Sequence, residues 1–158
     1  MPFLKNTKGF SLVELLVASG LVILVITAAS LAYFSGVKAW VRSGNQVEVQ
    51  QNLRIAMNTL SNEIRMAEAI RIYPGEKKIS LSFPDGNTRS YLYDAASKEI
   101  RLAKSNSTVA MYISGCDFGY SNNLISISLT TEALQGVKSG TYEFRINARG
   151  KEVNVINE

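Results

Sequence analysis

From Leu15 to Val37 the chain runs for 23 residues without a formal charge. A run of that length crosses a bilayer, and a purely soluble domain has little use for it. Carried back to Leu12 it covers 26 residues, about 39 Å as an α-helix, enough to span with some tilt. It contains no proline, and Gly20 is its one glycine before Gly36. Small residues cluster at Ala18–Gly20 and Thr27–Ser30, which suits close helix packing in lipid or in a helical bundle. Lys5 and Lys8 precede the run. Basic residues beside a first span stay on the cytoplasmic side, so the rest of the chain is expected outside. Trp40 and Arg42 follow the run closely; they suit an interfacial anchor, although Trp40 could equally open the soluble core.

The first 37 residues admit three readings. One is a signal peptide, with a basic start and small residues near Ser30-Leu31-Ala32 at cleavage-like spacing. One is an uncleaved anchor. The third is a precursor cut on the cytoplasmic side, before the apolar run. Glu14 discriminates among them, because it stands among Leu12, Val13, Leu15, Leu16 and Val17. A carboxylate at membrane depth costs roughly 2.5–3.5 kcal/mol on insertion scales. It either snorkels to the headgroups or meets a cation. A free amine at Phe10 would supply that cation, four residues earlier on the same helix face. In an assembly the amine could equally belong to a neighbouring chain.

The segment Lys8-Gly9-Phe10-Ser11-Leu12-Val13-Glu14-Leu15-Leu16-Val17 closely resembles the class III signal of type IV pilins and type II secretion pseudopilins. The resemblance implies that a prepilin peptidase cuts after Gly9, that the new N-terminal Phe10 is N-methylated, and that Glu14 is the assembly glutamate at the fifth mature position. Removing nine residues from 158 leaves 149, and the loss of Lys5 and Lys8 lowers the formal charge from +4 to +2. Many filament-forming members of the family carry a helix-breaking proline in the apolar stretch; this chain lacks it.

Between Lys38 and Ile70 the pattern turns amphipathic. Leu53, Met57, Leu60, Ile64 and Ala67 fall at spacings of four, three, four and three, one apolar stripe of a helix. Gln50, Arg54, Asn58, Asn62, Glu63 and Arg65 populate the other faces. Gly44 falls where the stripe is weakest, a place for a bend. A sheet from the same chain is the simplest cover for the stripe, with a partner helix the alternative. The residues from Gln51 to Ala67 also look like the corresponding helix of PilW-type minor pilins and J-type minor pseudopilins. That likeness rests on Arg54-x-Ala56-Met57-x-x-Leu60 and Glu63-Ile64-Arg65-x-Ala67.

Tyr73-Pro74-Gly75 is expected to end the helical region. Alternating apolar residues then predict seven short strands, around residues 79–83, 91–93, 100–102, 109–113, 125–129, 142–146 and 153–155. Pro84-Asp85-Gly86-Asn87 reads as the turn joining the first two, since it lacks the spaced carboxylates of a calcium loop. The expected fold is α+β and pilin-like: a long N-terminal helix packed on a mainly antiparallel sheet, or on two. The expected division is a leader 1–9, a transmembrane and assembly helix 10–37, an amphipathic helix 38–70 and a β-rich domain 71–158.

No motif for catalysis, metal or cofactor emerges. The chain has no histidine and one cysteine, which rules out His-based triads, His metal sites and an internal disulfide. Cys116 reads as a small buried hydrophobe, with an intermolecular disulfide as the alternative. Glu76-Lys77-Lys78 reads as a solvated turn. A charge of +4 is too mild to indicate nucleic acid by itself. The chain is therefore expected to be a structural subunit rather than an enzyme: a minor pilin or pseudopilin, held in the cytoplasmic membrane and then moved into an extracellular or periplasmic filament. The PilW-like helix and the missing disulfide pair point to a minor subunit. The partners implied by the resemblance are a prepilin peptidase/methyltransferase, other pilins, an assembly platform with its ATPase, and the bilayer. The competing class is an anchored or secreted binding domain, such as an adhesin, which leaves Gly9, Phe10 and Glu14 unexplained.

Overall fold

The computed structural model describes residues 9, 11–148 and 150–156. The chain forms two compact units, one ending at Val41 and one beginning at Arg42. Helix α1 covers Leu12–Met66, 55 residues, and continues through Gly20, Gly36 and Gly44. With no proline in the segment, every turn keeps its backbone donors. In the first unit its large apolar side chains are exposed, from Leu12 to Val41. Trp40 is 83% exposed, so it does not open the soluble core.

In the second unit, α1 buries Val49, Leu53, Ala56, Leu60, Glu63 and Ile64. This is the expected stripe, widened by Val49 and Ala56, with Met57 packed at its margin. Glu63 was expected on a polar face. It is instead buried, 8% exposed, and pairs with Arg89. It lies three residues after Leu60, at the border of the stripe, where the sheet brings a guanidinium to meet it.

The helix stops at Met66, not at Ile70. Its last turn closes with the Ala67 amide donating to the Glu63 carbonyl (2.9 Å). The β-branched Ile70 and Ile72 then alternate with Arg71 in strand β1, Ala69–Tyr73, the arrangement such side chains favour. Lys151 donates from Nζ to the carbonyls of Arg65 (2.8 Å) and Ala67. It thereby neutralises the negative end of the helix dipole and satisfies carbonyls the helix leaves open.

Eight further strands follow: β2 Lys78–Ser82, β3 Thr88–Asp94, β4 Glu99–Leu102, β5 Ser107–Ala110, β6 Ile113–Ser121, β7 Leu124–Thr131, β8 Thr141–Asn147 and β9 Glu152–Val155. They form two sheets, of order β5-β4-β3-β2-β1-β9 and β6-β7-β8. All pairings are antiparallel except β1 with β9, which sets Ile70 opposite Val153 and Ile72 opposite Val155. In the first sheet Ile79 faces both Ile72 and Tyr91. In the second, Cys116 faces Leu129 and Phe118 faces Ile127. Residues of both sheets and of α1 share one hydrophobic core. The architecture is α+β and pilin-like, a long N-terminal helix packed on antiparallel-rich sheets.

Two strands depart from the expected set. β1 lies where the amphipathic helix is expected to end. The expected strand 109–113 is broken at Tyr112, whose φ is 61°, so β5 ends at Ala110 and β6 begins at Ile113. The Pro84–Asn87 turn is as expected: Asp85 accepts from the Asn87 amide (2.9 Å) and from its side-chain Nδ2 (2.7 Å). Glu76 and Lys77 lie in the turn between β1 and β2, and Lys78, the first residue of β2, meets Glu76 at 2.9 Å and lies over the Tyr73 ring. Cys116 is fully buried, and burial pushes its thiol up to about 12.

Candidate functional site

The residues expected to carry the chemistry lie at the start of the chain. Gly9 is exposed, three positions before the first residue of α1. Phe10 lies outside the described residues. The Ser11 carbonyl accepts the Leu15 amide at 3.1 Å, which starts the helical ladder. Glu14 sits in the first turn, where the positive end of the helix dipole favours a carboxylate. Its side chain is exposed, and no ion pair reaches it among the described residues.

The helix beyond Glu14 is built for an apolar medium. An 18-residue window reaches a mean hydropathy of 2.5 with none of it buried in the fold. Leu12, Val13, Leu15 and Leu16 are all about two-thirds exposed or more. Three of its hydroxyls turn inward on the backbone. Ser19 donates to the Leu16 carbonyl (2.9 Å), Thr27 to Ile23 (2.8 Å) and Ser30 to Ile26 (2.8 Å). A polar group in lipid must find its partner within the protein, and these do so within one turn.

Residues 4–30 match the family model described as the prokaryotic N-terminal methylation motif. The match supports a type IV pilin-like family. It spans Gly9, Phe10 and Glu14 and most of the apolar run. Together with the long apolar helix it fits prepilin cleavage and a transmembrane helix. The motif implies processing by a prepilin peptidase, assembly with other pilins, and membrane anchoring before entry into a filament. No curated protein and no solved structure matches the chain.

A second feature was not legible in the sequence. The segment joining β7 to β8 closes onto α1 within the second unit. Asn45 Nδ2 donates to the Gln135 carbonyl (3.0 Å). Gly136, at φ 80°, lies so close to Arg42 that a Cβ there would stand 2.9 Å from Arg42 Cβ and Cγ. The base of the segment is clasped by Thr131, whose Oγ1 donates to the Gly140 carbonyl (3.2 Å) and accepts from its amide (3.0 Å). Between helix and segment lies a groove of about 580 Å³. The sequence signals were a lone glycine and one asparagine, neither of which specifies a partner 90 residues away.

Proposed function

We propose that the chain is a minor pilin or pseudopilin, a structural subunit rather than an enzyme. The observation that carries this reading is the match of residues 4–30 to the N-terminal methylation motif. The uninterrupted helix from Leu12 to Met66 and its β-rich partner supply the matching architecture.

In this reading residues 1–9 are the leader, 10–37 the membrane and assembly helix, 38–66 the amphipathic part of the helix and the rest, from β1 onward, the β-rich body. The peptidase cuts between Gly9 and Phe10 on the cytoplasmic side, and Phe10 is N-methylated. Before assembly the chain sits in the cytoplasmic membrane with its β-rich body outside. On assembly Glu14 pairs with an N-terminal amine, its own or a neighbour's. That contact offsets the cost of a carboxylate in an apolar bundle and sets the stagger between adjacent helices. The side chains exposed from Leu12 to Val41 are covered first by lipid and then by other subunits. An assembly platform and its ATPase drive the transfer.

The test is the intact mass of the protein from its native membrane, with N-terminal fragment ions. A mass for residues 10–158 plus one methyl group is expected. Cleavage near Ala32, or no cleavage, overturns the reading.

A further inference from the structure

We infer that the groove between α1 and the β7–β8 segment binds the phosphodiester headgroup of an anionic phospholipid. The inference rests on the membrane-anchored stage proposed above. Arg42 and Lys138 are its charged lining residues, and no carboxylate lines it among the described residues. The acids nearby are turned elsewhere. Glu132 binds Lys98, Glu143 binds Arg145 (2.9 Å), and Glu48 accepts from the Tyr112 hydroxyl (3.0 Å). Neither Arg42 nor Lys138 has an ion-pair partner among the described residues. Two uncompensated cations therefore face one concavity, whose low-dielectric wall concentrates their field.

The rest of the groove suits a headgroup with its glycerol stub. Gln46, Gln50 and Tyr142 supply polar groups, while Val49, Leu134 and Val137 supply an apolar wall. The Asn45–Gln135 bond and the Gly136 approach hold the wall in place beside Arg42, so little ordering is left for the ligand to impose. The position along the chain selects a lipid over a soluble anion. Arg42 comes five residues after Val37, where the uncharged run ends, and basic residues that close in sequence to a membrane span meet anionic headgroups.

The full chain in a neutral maltoside detergent, titrated with dioleoyl phosphatidylglycerol or phosphatidylcholine and read by native mass spectrometry, tests this. One phosphatidylglycerol per chain should be retained in preference to phosphatidylcholine. Arg42→Gln and Lys138→Gln should each weaken retention about fivefold. Lys38→Gln, an equally membrane-proximal cation outside the groove, should leave it within about twofold. Lys138→Gln lies on the surface segment and carries the test alone if Arg42→Gln lowers the thermal midpoint. Equal retention of both lipids overturns the inference, as does an equal loss with Lys38→Gln. Displacement by equimolar glycerol 3-phosphate makes the site one for soluble phosphate, and displacement by a glutamate-rich peptide makes it one for acidic protein; either overturns the lipid assignment. Lipid selectivity in a chain that is never processed refutes the filament reading alone, whereas processing and assembly without selectivity refute this inference alone.

Discussion

At Glu14 a carboxylate stands at the head of a run that stays uncharged to Val37, where a cationic partner offsets its cost in an apolar medium. Glu14→Ala should leave cleavage after Gly9 largely intact, because the peptidase acts on the leader junction. Incorporation should fall sharply, measured as the share of processed protein in sheared filaments against membranes. Normal incorporation would remove the charge-pairing argument. A bulky residue in place of Gly9 should act one step earlier and leave the 158-residue precursor. Cys116 illustrates the opposite environment. Burial holds its thiol protonated up to about pH 12, whereas an unfolded thiol ionises near 8.5. Above that pH the unfolded chain binds fewer protons than the folded one, so stability falls as pH rises from about 8.5 to about 12. Cys116→Ala should flatten that slope in urea titrations at pH 8 and pH 10.5. The Tyr91 phenol, raised first by burial and then by the Glu63 carboxylate, contributes the same sign above about pH 10.

At the scale of elements, the joint between α1 and the larger sheet combines apolar and ionic contacts. Leu60 is fully buried, and Leu60→Ala should cost about 2–5 kcal/mol. The Glu63–Arg89 pair is asymmetric, with the acid side chain 10% exposed and the arginine 52% exposed. Arg89→Ala leaves the carboxylate buried without its guanidinium and should cost about 1–3 kcal/mol. Combining it with Glu63→Gln should recover part of that loss, a coupling that a double-mutant cycle under urea denaturation measures. The stripe of apolar residues was readable because its period is that of a helix. Glu63 was not, because a border position is buried or solvated according to what the sheet places opposite it.

For the whole molecule, the C-terminal strand ties the chain's end to its middle. β9 lies parallel to β1, and Lys151 just before it caps the helix at Arg65 and Ala67. A chain ending at Ala148 loses both the strand and the cap. It should unfold at a midpoint lower by several degrees, about 4–8 °C for each 1 kcal/mol lost in a domain of this size, as scanning calorimetry of the detergent-solubilised protein would record. The parallel pairing is the one departure from an otherwise antiparallel pattern among the described strands. It joins segments some 80 residues apart, which no local alternation could announce.

By itself the sequence determined the apolar run and its length, the Gly9-Phe10 and Glu14 pattern, the helical stripe from Leu53 to Ala67, and most of the strands. Each is a local property: hydropathy summed along the chain, or side-chain period within one element. Tertiary structure decided where the helix yields to β1, because Ala67–Tyr73 satisfies either period until β2 and β9 offer partners on both sides. It decided the break at Tyr112, which separates two sheets. It paired Glu63 with Arg89 and Lys151 with the helix end, and it brought Arg42 and Lys138 to one groove. All of these depend on groups distant in sequence meeting in space, and their free energy exists only once the core has placed them.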